Sequence, residues 1–269
     1  MRRLAGAVSG VACAALLPAF QPALAAQVPR YAASQFACAR YLERAESDIR
    51  GEAGGRPHNE TGGRVGRWII RGVPAPDGAL AIEAWFDSLA IWRKADDAVH
   101  SPGTDGVIGG RYRGRLAPDG RYAASARPFV PDDVAEYADL RDAFADLLPQ
   151  LPPAPLAPGS AWHDEAGLSI ERLGDSSSGE AIIERYRLTR RTAGRDARVA
   201  DTVSIPLRQT TVEEGEFAWD RERGVVTRSR TITVDTDVPA GGALRVPVRS
   251  RVIQRVTVER LPDDAAACG

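Results

Sequence analysis

One stretch near the C-terminal end constrains the fold more than any other. Between residues 245 and 259, Val246, Val248, Val252, Val256 and Val258 share one parity, while Arg245, Arg249, Arg251, Arg255 and Glu259 share the other. Successive side chains of an extended strand point to opposite faces, so this pattern gives one face to a core and the other to water. A helix cannot satisfy a period of two. A register slip of one residue would bury the arginines, so the pairing of this strand is tightly specified. A chain carrying such a strand is built around an antiparallel sheet.

The same style recurs upstream. Ile108, Tyr112 and Leu116 alternate with Arg111, Arg113 and Arg115, Pro118-Asp119-Gly120 marks a turn, and residues 121–127 return. Residues 36–50 read as a strand in preference to a short helix, 51–66 as a polar, glycine-rich loop, and 68–70 and 80–94 as strands separated by a turn at Pro76-Asp77-Gly78. Further strands are predicted from Trp162 and over 182–191, 202–207, 210–219 and 225–234, with turns at 174–179 and 221–224. Gly110 to Gly120 and Gly215 to Gly224 are similar hairpins, a likeness too common in β-rich chains to establish a duplication.

Between the two β-rich halves lies the one amphipathic helix the sequence predicts, over 132–148. Val134, Tyr137, Leu140, Phe144, Leu147 and Leu148 recur at steps of three or four and make one apolar stripe. Asp132 or Asp133 supplies the cap, and Pro149 ends the helix because it lacks an amide donor. Such a helix is about 25 Å long. The segment that follows holds prolines at 149, 152, 153, 155 and 158, and extended as polyproline it spans roughly 30 Å. The similar lengths predict a helix and a strut laid across one face of the sheet.

Arg2 and Arg3 precede an apolar run from Leu4 to Phe20, and Ala23-Leu24-Ala25 follows Pro22. That is the pattern of a secretory signal peptide, with cleavage expected before Ala26 or Gln27. A lipoprotein signal at Cys13 is disfavoured by Gly10 and by the apolar run continuing past the cysteine. No later segment is apolar enough to span a bilayer as a helix. The expected organisation is a signal peptide at 1–26, a β half at 27–130, helix and strut at 131–161, and a second β half at 162–269, the halves sharing one core. Export places the chain in the periplasm or outside the cell. There Cys38 and Cys268, which follow the signal segment, read as a disulfide, with two free thiols as the alternative. Neither cysteine has a partner at metal-ligand or Cys-x-x-Cys spacing.

The chain carries a formal net charge of −1, or −3 without Arg2 and Arg3, so nucleic acid is not an expected partner. Lys94 is the single lysine among 35 basic residues, so abundant arginine is a compositional bias before it is a phosphate signature. The exposed parity of Arg185, Arg187, Arg249, Arg251 and Arg255 reads as a solvated face paired with acids such as Glu213, Glu216 and Glu259. A basic surface for anionic lipid headgroups is the sharper alternative.

No catalytic constellation emerges. Gly174-Asp175-Ser176 is similar to the nucleophile turn of trypsin-like serine proteases, but Ser177 stands where that turn needs glycine, and no histidine motif accompanies it. Gly-x-Ser-x-Gly is absent. The histidines are His58, His100 and His163. His163-Asp164-Glu165 would alternate faces on a strand and could not converge. Asp96-Asp97 and Asp132-Asp133 lack calcium-loop spacing. No cofactor or metal is expected.

Pro152 to Trp162, the strand that follows, the Phe217-x-Trp219-Asp220 strand end with its turn at Gly224, and the long C-terminal strand together resemble exported bacterial β proteins of unknown function. Those families are similar in architecture to lipoprotein-carrier half-barrels, in which a curved antiparallel sheet wraps a helix. The resemblance implies that fold and brings no catalytic residues. The resulting expectation is a mainly β chain, a curved antiparallel sheet or partial barrel with the 132–148 helix packed on it. Its function is then non-enzymatic, in the envelope, holding a lipid, a lipoprotein acyl chain or another apolar ligand. A structural or protein-interaction module without a ligand is the alternative, and a hydrolase is disfavoured.

Overall fold

The first and last long strands lie side by side in the middle of one antiparallel sheet. The computed structural model describes residues 28–95, 98–179, 181–199, 203–240, 246–264 and 268; the expected signal segment 1–26 and Asp96-Asp97 lie outside them. The first wing comprises β1 (Ala39–Ala53), β2 (Arg56–Pro74), β3 (Leu80–Ala95), β4 (Ala98–His100), β5 (Tyr112–Leu116) and β6 (Tyr122–Ala126). After the short helix α1 (Asp132–Ala135) come β7 (Ala161–His163), β8 (Leu168–Ser178), β9 (Ala181–Val199), β10 (Val203–Asp220), β11 (Gly224–Val238) and β12 (Val248–Arg260). Among the described residues the sheet runs β6-β5-β3-β2-β1-β12-β11-β10-β9-β8-β7, with β4 attached to β3. β1 and β12 pair from Tyr41 opposite Arg260 to Ala53 opposite Val248. Each wing is a meander, β6 and β7 are the two edges, and residues 127–160 join them as a strap.

The ladders fix which side chains share a face. One row runs Leu89, Gly66, Glu43, Val258, Arg228, Phe217, Tyr186 and Arg172 from β3 to β8. This inner face carries the core. Tyr41, Trp68, Phe86, Tyr112, Tyr186, Phe217, Trp219, Val256 and Val258 form one buried cluster with Val134, Leu140, Phe144, Leu147, Leu148 and Leu151 of the strap. The outer face alternates charge: Arg185 and Arg187 pair with Glu216, Arg249 with Asp237, and Arg251 with Asp235. Shifting β12 by one residue would exchange these faces, so its register is held from both sides.

The sheet curls without closing. Eight strand spacings separate β6 from β9 along the path, about 38 Å if flat. Yet Tyr122 of β6 and Leu188 and Arg190 of β9 line the same small pocket. The strap fills the gap between the wings. Leu151 donates its amide to the Asp119 carbonyl on one side, and Gly159 donates to the Arg172 carbonyl on the other. Gly120 is at φ +88°, and a Cβ there would come within 2.5 Å of the Pro149 oxygen, so only glycine lets the strap seat against this rim.

The predicted 132–148 helix requires correction. Only Asp132–Ala135 is α-helical; 136–137 and 141–147 are turns, closed by three-residue hydrogen bonds such as Tyr137 to Val134, Ala143 to Leu140 and Leu147 to Phe144, and 138–140 between them have no regular structure. The apolar stripe is still turned inward. Val134, Leu140, Phe144, Leu147 and Leu148 are buried and Tyr137 is half-buried. The helix fails where Tyr112 of β5 takes the Leu140 carbonyl that the Phe144 amide would need, while the end carbonyls, free in any helix, are held by Arg228 and by Tyr31 of the N-terminal segment. Tyr112 Oη donates to Leu140 O at 2.6 Å, Arg228 to Asp146 O at 2.6 Å and Leu147 O at 3.1 Å, and Tyr31 Oη to Pro149 O at 2.9 Å. Asp139 meanwhile accepts the Arg141 amide, a local bond that competes with the helical ladder.

Two loop expectations also fall. Residues 51–66 are not a loop: β1 reaches Ala53, turns at Gly54-Gly55, and returns as β2 from Arg56. Residues 174–178 belong to β8, with a bulge between Arg172 and Gly174. In both places continuous ladder pairing overrides weak strand propensity. Cys38 and Cys268 lie at disulfide distance with Cα atoms 6.0 Å apart across a sequence separation of 230. On the chain-entropy account such a link removes at most roughly 5 kcal/mol of denatured-chain freedom.

Candidate functional site

The inner face has two parts, and the strap draws the line between them. Below the strap the rows are dry. The border row runs Arg93, Gly62, Ser47, Gln254, Ile232, Glu213, Arg190 and Leu168. Past it the strands continue, and Glu60, Ile49, Val252, Val234 and Thr211 form the next row. Two rows further, Ala53, Val248 and Val238 stand opposite one another. Ile49, Ile232, Val234, Val238, Val248 and Val252 are each half-buried, and Val246 beside them is 42% exposed. The row between these two, Gly51, Ser250 and Thr236, is polar. The strands thus carry a shelf of two short apolar rows beyond the segment that covers the core.

A groove of about 270 Å³ follows the border. Ala45 and Ile49 floor it, Glu60, Arg64 and Arg93 form its sheet wall, and Asp139, Asp142 and Asp146 of the strap form the other. Arg93 pairs with Glu60 and sits 5.2 Å from the centre of the Tyr137 ring. Asp142 is held by Arg127 at 2.8 Å. The lining is therefore largely polar and already paired. Directly under the strap, Phe144 packs edge-on to Tyr122 at 4.8 Å and lies 6.0 Å from Trp68, so side chains fill that space.

Charged residues are buried at the centre of the inner face. Glu43, 1% exposed, accepts from Arg64 at 2.8 Å and from Trp68 Nε1 at 2.9 Å. On the other wing Glu213 accepts from Arg228 at 3.1 Å and Arg230 at 3.4 Å, and Arg190 stands 3.8 Å away. Burial, with Arg230 alongside, pulls Arg228 down to about 10, and Glu213 opposes the shift. Gly215 lies opposite Arg230, where a Cβ would come within 2.9 Å of the Arg230 Cβ; the missing side chain makes room for this crowd. Tyr186 Oη donates to Glu184 at 2.5 Å, and burial followed by that carboxylate pushes the phenol up.

Sequence reasoning missed Glu43, Arg228 and Arg230, and its placement of Glu213 on the solvated face requires correction, because Glu213 is buried on the inner face. A signal was present. Arg228 and Arg230 share the parity of Ile232 and Val234; Glu43 shares that of Tyr41 and Ala45; Glu213 shares that of Phe217. A charge on the apolar parity of a strand marks a buried charge.

The candidates from sequence are dispersed. His58 sits on β2 near Glu60, His100 on β4 and His163 on the β7 edge. Asp164 caps its own turn by accepting the Leu168 amide. Asp175 pairs with Arg172 at 2.6 Å. Among the described residues no three or more histidine, cysteine, aspartate or glutamate side chains gather in a way that could hold a metal ion. No described helix is long and apolar enough to cross a membrane.

No protein family and no curated protein matches the sequence. Among solved structures, lipovitellin aligns with 89% of this chain at 11% identity and a TM-score of 0.46; the chain spans only 26% of that protein. A DUF1329 family protein from Desulfovibrio piger aligns with 84% of this chain and 86% of its own at 10% identity and a TM-score of 0.16. The MucA/MucB complex of Pseudomonas aeruginosa aligns over 85% and 90%, at 8% identity and a TM-score of 0.21. The fold described above stands on its own ladder pairings.

Proposed function

We propose that this chain is an exported, non-enzymatic binding protein of the cell envelope that holds an apolar chain, such as a lipid acyl chain, on the inner face of its sheet. The observation that carries this reading is the shelf at and past the polar border row, where Ile49, Ile232, Val234 and Val252, and two rows further Val238 and Val248, stay half-open. The site lies beside the strap and not beneath it, because Leu140, Phe144 and Leu147 fill the space there. Half-open aliphatic side chains on a curved face suit a flexible hydrocarbon: each buried methylene contributes about 0.8 kcal/mol, and no directional contact is required. The paired, polar lining of the adjacent groove favours a second reading, a protein-interaction module with no ligand.

The test is direct. Native mass spectrometry of protein isolated from membranes should find a co-purifying lipid. A fluorescent fatty-acid probe should bind the lipid-stripped protein and lose at least tenfold affinity in Ile49→Asp and Val252→Asp, whose thermal unfolding serves as the folding control. Absence of both lipid and probe binding refutes the carrier reading and leaves the interaction module.

A further inference from the structure

We propose that the pocket between the strap and β9–β11 is a binding site for one small oxyanion of the phosphate or carboxylate class. The pocket holds about 170 Å³ and is lined by Arg121, Arg190, Arg228 and Arg230 against only Glu213 and Asp146 among acidic groups. Asp119 pairs with Arg121 at the rim at 2.8 Å, so the excess of positive charge sits deeper, on the three arginines that share Glu213. Arg228 is spoken for, with its guanidinium donating to Asp146 O, Leu147 O and Glu213.

Arg230 is not. It is 7% exposed, its bond to Glu213 is long at 3.4 Å, its approach to Asp146 is 3.6 Å, and its Nε has no partner. Buried donors are nearly always satisfied, and a buried guanidinium offers five of them in a fork that matches an oxyanion. Arg190 faces the same space, its side chain 39% exposed and its ion pair with Glu213 stretched to 3.8 Å, so it is available to a ligand entering from solvent. An oxyanion between Arg190 and Arg230 would complete the pairing of both. The site does not depend on the shelf being occupied. Because the Glu213 and Arg190 row borders the shelf rows, the anion has two natural sources, free phosphate and the headgroup of a lipid lying on the shelf.

Titration calorimetry and thermal unfolding of the signal-free chain, at constant ionic strength, separate these. Inorganic phosphate should raise the unfolding temperature above that in chloride, and Arg190→Gln should weaken phosphate binding at least tenfold, with Arg255→Gln on the outer face as the unchanged control. A short-chain phosphatidic acid binding tenfold or more tightly than phosphate, and losing that affinity in Arg190→Gln, identifies the lipid headgroup as the source. Equal affinities identify the free anion. No binding of either compound, or binding that Arg190→Gln leaves intact, overturns the site. Loss of probe binding in Ile49→Asp with phosphate binding retained would separate the shelf from the anion pocket.

Discussion

Replacing Glu213 with glutamine tests the buried charge cluster at its centre. Glu213 is 8% exposed and is the carboxylate that Arg228, Arg230 and Arg190 share at 3.1, 3.4 and 3.8 Å. Neutralising it leaves two guanidinium groups, each more than nine-tenths buried, side by side. Breaking a buried pair by removing one partner costs about 3–5 kcal/mol. The lower end applies, because the amide oxygen still accepts one hydrogen bond and the strap carbonyls of Asp146 and Leu147 still hold Arg228. Asp146 does not compensate, since its side chain is 64% exposed and 3.6 Å from Arg230. A loss of about 3 kcal/mol lowers the unfolding temperature of a domain this size by roughly 6–12 °C. Urea unfolding followed by the fluorescence of the buried Trp68 and Trp219 reads the change, with the denaturant slope unaltered. Phosphate should then raise the midpoint of Glu213→Gln more than that of the parent, because the variant pocket lacks one negative charge. A loss below about 1 kcal/mol would refute the reasoning, for it would mean that the arginines do not need this carboxylate.

Two further outcomes follow from the packing. Phe144→Ala should cost about 3–5 kcal/mol and render the strap between 136 and 148 sensitive to limited proteolysis, because Phe144 is 1% exposed against Trp68 and Tyr122; an uncut strap at unchanged stability would count against it as the anchor. Burial holds the phenols of Tyr31, Tyr41, Tyr112 and Tyr186 above their ordinary value and pushes Tyr122 up to about 12. Folded pKa values above unfolded ones mean that the native state keeps protons the unfolded chain gives up, so the tyrosines' contribution is constant below about pH 10 and stability falls as pH rises toward 12. In a Tyr137→Phe background, which leaves only these five phenols, phenolate absorbance appearing near pH 10 while the circular dichroism stays native would contradict this.

The long-range pattern was legible where alternation was strong and illegible where it was not. The valine parity of β12 announced a sheet strand with one dry face, and the ladder with β1 and β11 places those valines inward. Trp219-Asp220 to Gly224 was readable as a hairpin, and the reason is local: Asp220 accepts the amides of Glu222 and Arg223 at 2.7 and 2.9 Å, with Gly224 at φ +77°. The strap was half readable. Its apolar stripe at steps of three and four marked which side chains would be buried, because turns with three-residue bonds keep nearly the same facing as a helix. The helix itself was not, since the competing donors, Tyr112 of β5, Arg228 of β11 and Tyr31 of the N-terminal segment, come from parts of the chain far away in sequence. The buried arginines escaped notice because arginine is abundant everywhere in this chain and its meaning lies only in parity.

The strand lengths bear on what the inner face is for. A sheet that needed only to bury the strap-covered core could stop at the Ser47 row. β1 instead runs six residues further, to Ala53, and β2 and β9 each extend to nineteen residues, about 63 Å. Each ordered backbone residue costs about 1–2 kcal/mol in conformational entropy. Half-open Ile49, Val252 and Val234 recover only part of what full burial would contribute, about 1.5–3 kcal/mol each. The extension is therefore the weakest part of the fold when the shelf is bare, and an apolar chain lying along it would supply the missing burial. The same occupant would exclude water from the border row, strengthening the pairing of Glu213 with its arginines as the local dielectric falls. Shelf and charge cluster are in that sense coupled through Ile232, which stands opposite Glu213 on one side and Gln254 on the other. A ligand on the shelf should accordingly raise the stability of the wild type more than that of Glu213→Gln.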